Sequence, residues 1–220
     1  MEIWQELVKS KVFENIDESG IKALNFCFKS RLRFVEKNEI IVAEGDRNDY
    51  CIYIFQGKVK SVNYDYYGDE NIYKTYSTGD VFGLTEAYSS TENYLHSLVA
   101  TEKSTIILFN RFRFIKPCEN HCPRHNQLTK NLAKIISQEN LELANRLLVL
   151  SKKTIRDKML TYLHILSKEN VSSYFDIPFN RKELASFLGV DRCALSVELA
   201  KMKKENLIDF NKNHFHLIEK

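Results

Sequence analysis

Asn180-Arg-Lys-Glu-Leu-Ala-Ser-Phe-Leu-Gly-Val-Asp-Arg-Cys-Ala-Leu-Ser-Val-Glu-Leu199 is the stretch from which the rest of the chain is read. Asn180 is placed to cap a helix whose third position is Glu183, the reciprocal capping-box arrangement. Leu184, Phe187 and Leu188 give that helix an apolar side, and Ala185 allows a close crossing. Gly189 stops it, because the residue after a helix end needs to tolerate positive φ. Val190 then plugs the interhelical angle, and Asp191 caps a second helix that Leu195 and Leu199 bury against the first. This leaves Arg192, Cys193, Ser196 and Val197 on the exposed N-terminal face, where a recognition helix touches base edges. Such helix pairs also serve as plain packing units. Two short strands follow, residues 207–210 and 214–218 around a turn at 211–213, and they have the position of a wing.

Moving toward the N-terminus, residues 154–167 read as another helix, and a longer one begins after Pro123. Within it Ala133, Ile136, Asn140, Leu143, Leu147 and Leu150 recur at steps of 3, 4, 3, 4 and 3. That is the seam of a coiled coil, and a lone Asn in it fixes register and favours a dimer. A second stripe, Leu128, Leu132 and Ile135, points to packing of another face on the chain's own core.

The front of the chain has a different texture. Residues 3–28 read as two short helices with Asp17 as a cap between them. From Arg33 onward, segments rich in Ile, Val, Tyr and Phe (40–43, 50–55, 59–64, 72–76, 97–100, 105–109) alternate with turn signals, and Gly45, Gly57, Gly68 and Gly79 fall 12, 11 and 11 residues apart. Short strands at that interval indicate a sandwich or barrel. The expected fold is α+β: an N-terminal jelly-roll barrel of the cyclic-nucleotide-binding kind over 1–122, a long dimerisation helix over 123–151 and a winged helix-turn-helix over 152–220.

Charge follows the same division. Residues 145–220 hold 14 Lys and Arg against 9 Asp and Glu, while residues 1–144 hold 18 against 20, so the excess of cations lies in the tail. This is the distribution expected if the tail meets a polyanion. No apolar run approaches the roughly 20 residues of a membrane helix, and no basic-then-apolar leader opens the sequence. A cytoplasmic protein without membrane contact is expected. Five cysteines, an odd number, argue for free thiols over a disulfide framework.

Gly79-Asp-Val-Phe-Gly83, the long helix after it, and Asn180-Arg-Lys-Glu through Glu205-Asn-Leu-Ile208 occur in the order and spacing of one family. Over nearly its whole length the chain resembles the Crp/Fnr transcription regulators. The resemblance implies a homodimeric regulator that binds double-stranded DNA at a pseudo-palindromic site and works with RNA polymerase. It implies phosphate contacts from Asn180, Arg181 and Lys182 and a guanine contact from Arg192, the commonest specific contact. The sequence departs from the family at Cys193, where glutamate is usual, and at Val197, where arginine is usual. A different operator is expected.

In cyclic-nucleotide sensors of this fold, a glutamate and an arginine after the Gly-Asp-x-x-Gly turn hold the ribose and phosphate. This chain has Leu84, Tyr94 and Leu95 there, and residues 75–102 contain no Lys or Arg. Burying a phosphate without a cation is costly, so cyclic AMP is not expected as effector. Phe82, Gly83, Leu84, Tyr94 and Leu95, with Tyr88 nearby, suggest an aromatic effector pocket, although the same residues could simply fill the barrel. The first 26 residues contain no cysteine, so the family's N-terminal iron-sulfur cluster is not expected either. The effector is left open.

Cys118, His121, Cys122 and His125 place two thiols and two imidazoles within eight residues. A metal site, a redox pair at Cys118 and Cys122, and a purely structural hinge all remain readings of this cluster. A cupin-like enzyme would need several histidines in the barrel strands, and only His96 lies there. Catalysis is not expected. A tail that docks an acidic protein instead of DNA is the remaining alternative.

Overall fold

The computed structural model describes residues 3–64, 66–67, 70–89, 91–116 and 122–218. They fall into two units, residues 1–137 and 138–220.

The first unit opens with α1 (Ile3–Val8), a 3-10 turn (Lys11–Phe13) and α2 (Glu18–Phe28). Asp17 caps α2 as expected, its Oδ1 accepting from the Gly20 amide at 3.0 Å. Eight strands follow: β1 (Arg31–Val35), β2 (Ile40–Val42), β3 (Tyr50–Gln56), β4 (Lys58–Tyr64), β5 (Glu70–Ser77), β6 (Val81–Phe82), β7 (Ser97–Ala100) and β8 (Ser104–Asn110). They pair antiparallel in two four-stranded sheets, ordered β1-β8-β3-β6 and β2-β7-β4-β5. Between β6 and β7 lies α3 (Leu84–Tyr88), and after β8 comes α4 (Arg111–Ile115).

β3 shows why a barrel forms and why it is covered. Ile52 and Ile54 belong to the barrel interior with Val59, Phe82, Leu98 and Ile106, while the alternate residues Cys51 and Tyr53 belong to a second core. In that second core they meet Leu7, Phe13, Leu24 and Phe28 of the N-terminal helices. A strand apolar on both faces is one covered on both faces. The long helix α5 (Pro123–Leu150) adds Leu128 and Leu132, both fully buried, to the same second core. The second stripe of that helix therefore packs on its own chain, as its spacing suggested. The boundary between the two units falls inside α5.

The second unit holds the end of α5, then α6 (Ile155–Asn170), β9 (Tyr174–Asp176), α7 (Arg181–Leu188), α8 (Arg192–Lys204), β10 (Ile208–Asn211) and β11 (His214–Leu217). Its core joins Val149, Met159, Leu163, Leu184, Leu188, Leu195, Leu199 and Met202 to Phe175, Ile208 and Phe215 of the sheet. The wing has three strands, ordered β10-β11-β9, one more than the sequence announced.

Candidate nucleic-acid interface

The helix pair α7–α8 is built by caps at each of its three turns. Asn180 Oδ1 accepts from the amides of Lys182 at 2.9 Å and Glu183 at 3.0 Å, and the Asn180 amide donates to Glu183 Oε2 at 2.7 Å. Gly189 ends α7 at φ +61°, where a side chain would be strained, and Lys158 Nζ donates to the Leu188 carbonyl at 2.9 Å. Asp191 Oδ1 accepts from the Ala194 amide at 2.8 Å and starts α8.

With Leu195, Leu199 and Met202 buried, Arg192, Cys193, Ser196 and Val197 all face outward. Val197 is 56% exposed, an apolar side chain turned to the surface. Ser196 Oγ donates to the Arg192 carbonyl at 3.0 Å. The orientation of α8 is held from behind by Arg156 of α6. Its Nε reaches Glu198 at 2.6 Å and its two terminal nitrogens reach Glu205 at 2.7 and 2.9 Å. Those hydrogen bonds push the Arg156 pKa further up.

The three expected phosphate contacts do not stand alike. Asn180 uses its side chain in the capping box, and Arg181 lies over the rings of Phe210 and Phe215 at 5.1 and 5.8 Å. Burial there pulls the Arg181 pKa down. Lys182 is exposed. Sequence reasoning missed Lys212, which sits exposed at the wing tip with φ +54°; the turn signal at 211–213 was the clue available.

Along α5, Ala133, Asn140, Leu143, Leu147 and Leu150 are exposed, and Ile136 is half-buried against the core of the first unit. Leu147 is 68% exposed, unusual for a leucine on a long helix unless a further surface covers it.

Of the five expected pocket residues in the first unit, Phe82, Gly83 and Tyr94 lie together, while Leu84 and Leu95 do not join them. Phe82 and Tyr94 stack at 5.4 Å within the barrel interior, and the Tyr94 hydroxyl donates to the Tyr50 carbonyl at 2.6 Å. Gly83 turns the chain at φ +85°, which moves Leu84 into the other core, beneath the N-terminal helices. Leu95 is half exposed, and Tyr88 is 38% exposed. Sequence reading also missed a buried polar group near this turn. Arg111 Nη1 donates to the carbonyls of Asn48 at 3.2 Å and Thr91 at 2.7 Å, while the Arg111 Nε and both ends of the Asn48 amide meet no partner among the described residues. Cys51 lies beside it, its thiol pushed up to about 12 by burial.

Of the cysteine and histidine cluster, Cys118 and His121 lie outside the described residues. Cys122 is half-buried with a free thiol. His125 is buried edge-on to Phe28 at 5.2 Å, with Nε2 at 3.3 Å from the Arg113 carbonyl and Nδ1 without a partner among the described residues. Among the described residues no three His, Cys, Asp or Glu side chains are grouped to hold a metal ion. None of the described helices is long and apolar enough to cross a membrane.

Two family models match the chain: a cyclic nucleotide-binding domain over residues 32–121 and a Crp-like helix-turn-helix domain over residues 143–219. The chain belongs to the Crp/Fnr family. It is a DNA-binding transcription regulator of that type. Among its relatives is the transcriptional activator protein Anr of Pseudomonas protegens, 24% identical over 196 residues that cover 86% of this chain and 77% of Anr. The electron transport regulator A of Shewanella oneidensis is 21% identical over 194 residues, 86% and 75% of the two chains. Among solved structures, the c-di-GMP responsive global regulator CLP of Xanthomonas campestris superposes with a TM-score of 0.57 at 17% identity, over 93% of this chain and 100% of CLP. DNR of Pseudomonas aeruginosa gives 0.52 at 19% identity, over 98% and 93%. The likeness of this Crp/Fnr regulator to those two structures is one of fold.

Proposed function

We propose that this Crp/Fnr regulator acts as a homodimer on a two-fold symmetric DNA site and responds to an effector other than a cyclic nucleotide. The observation that carries the DNA half is the outward face of α8, where Arg192, Cys193, Ser196 and Val197 stand exposed on a helix capped and clamped in place. Arg192 is the polar base reader, suited to guanine; Cys193 and Val197 offer short or apolar contacts, such as to a thymine methyl. Lys182 and Lys212 supply phosphate contacts. The exposed leucines of α5 supply the dimer seam, with Asn140 setting its register. RNA polymerase is the expected further partner of the DNA-bound dimer.

The sensor half rests on charge. No Lys or Arg occurs in residues 75–102, and Arg111, buried nearby, already donates to two carbonyls. A cyclic phosphate would meet no cation from that segment. The effector shifts the dimer toward a conformer whose two recognition helices are one DNA turn apart, about 34 Å.

Selection of random double-stranded DNA by the full-length protein tests this reading, with and without cyclic AMP. An enriched symmetric site, unaffected by the nucleotide, is expected. Arg192→Ala should then lose about 1–3 kcal/mol on that site and little on random DNA, whereas Lys182→Ala should weaken both alike and flatten the salt dependence. Equal losses for both variants on both DNAs would remove the assignment of α8 as the reader.

A further inference from the structure

We propose that the DNA-binding unit carries a ligand site of its own, a cavity among α5, α6 and α7 that takes a small zwitterion with an apolar or aromatic body, such as an apolar α-amino acid. The cavity has a volume of about 310 Å³, which lies at the small end of the range of roughly 300–1,000 Å³ for small-molecule sites.

Its floor is apolar. Val149, Tyr162 and Leu166 meet Phe179 and Phe187, and Phe187 lies 4.9 Å from the ring of each aromatic neighbour. Burial pushes the Tyr162 hydroxyl up to about 12, so it stays neutral, and the floor carries no charge at ordinary pH.

Its rim is charged. Glu142 and Arg146 stand four apart on α5, acid before base, the order in which a helix surface ordinarily closes an ion pair. Here the pair is open. The Arg146 guanidinium lies over the Phe187 ring at 5.7 Å, and neither residue has an ion-pair partner among the described residues. Asn145, between them, is already spent on Glu169, to which its Nδ2 donates at 3.2 Å. An unclosed cation and anion above an uncharged aromatic floor complement a molecule with a carboxylate, an ammonium and an apolar side chain. The carboxylate suits the forked guanidinium, the ammonium suits Glu142, and the body covers the rings.

At about 100° per residue, Glu142, Asn145, Arg146 and Val149 centre roughly 120° around α5 from Leu143, Leu147 and Leu150, with Arg146 the nearest of them to the seam. Because the cavity is lined by α7, the first helix of the DNA reader, an occupant would brace that helix against α5 and α6.

The test is calorimetric titration of the full-length protein with L-phenylalanine and L-leucine, beside 3-phenylpropionate and 2-phenylethylamine, which each lack one of the two charges. At least one amino acid should bind saturably, and the two single-charge probes at least tenfold more weakly. Arg146→Gln and Glu142→Gln should each weaken amino-acid binding tenfold or more while melting close to the parent temperature, since both residues are exposed and neither has an ion-pair partner among the described residues. The proposal is overturned if neither amino acid binds, if 3-phenylpropionate binds as tightly as L-phenylalanine, or if binding survives both substitutions. Its failure would leave the DNA-reading assignment of α8 untouched.

Discussion

Two asparagines, one in each unit, show how differently the two halves of this regulator use polar groups. Asn180 begins α7 on the surface, and its side chain and backbone both close hydrogen bonds within three residues of themselves. Asn48 is 1% exposed in the sensor, and neither end of its amide meets a partner among the described residues. The DNA-binding unit spends its helix-end polar groups on local geometry and presents a fixed face. The sensor instead buries polar side chains, Asn48 and Arg111 among them, inside the fold.

The strongest way to break this contrast is to remove Arg111. Its guanidinium serves the carbonyls of Asn48 and Thr91, which lie 63 and 20 residues away in sequence. Arg111→Leu should cost the sensor about 3 kcal/mol by orphaning both carbonyls. Chemical denaturation checks it, and a loss under 1 kcal/mol would mean the network carries little. Alkaline pH sharpens the same point. The Cys51 thiol has its pKa raised from 9.0 to about 12 by burial, so below about pH 9 it is protonated in both folded and unfolded chains. As pH rises from there toward 12 only the unfolded thiol ionises, and stability should fall by about 1.4 kcal/mol per unit. Comparing the parent with Cys51→Ala across this range should show a steeper decline in the parent; parallel curves would contradict it.

The two asparagines themselves supply the smaller effects. Asn180→Ala should destabilise the DNA-binding unit by about 1 kcal/mol through loss of its cap, with a matching fall in its melting temperature. Asn48→Leu should have the opposite sign, neutral or stabilising by a few tenths of a kcal/mol, because a buried amide without partners is replaced by an apolar group of similar size. A clear loss of stability in Asn48→Leu would show that the amide has a partner in solution, and the contrast between the units would narrow.

The same difference explains what the sequence disclosed. The caps Asp17, Asn180 and Asp191 and the stop at Gly189 are each closed by residues two to four positions away, so a reading of neighbours finds them. The stripe Leu128, Leu132 and Ile135 of α5 was legible because helical periodicity is also local. β6 and β9, of two and three residues, are too short to show alternation, and they exist because longer strands offer them an edge. β1 hides for another reason: Leu32 and Phe34 are exposed, so its pattern inverts the usual inward apolar face. Among the expected effector residues, Leu84 is separated from Phe82 at Gly83, since a single left-handed residue sends the two into different cores. Asn48, Cys51 and Arg111 meet only through the fold, and no spacing along the chain foretells them.

The Ser196 hydroxyl carries a consequence for the alphabet of the operator. Its proton is committed to the Arg192 carbonyl, so what it shows outward is lone pairs alone. In the major groove such a group is matched by the exocyclic amines of adenine and cytosine and mismatched by the keto oxygens of guanine and thymine. On the proposed docking of α8, the base beneath Ser196 should therefore be one that gives a hydrogen, a constraint set by one turn of the helix's own backbone.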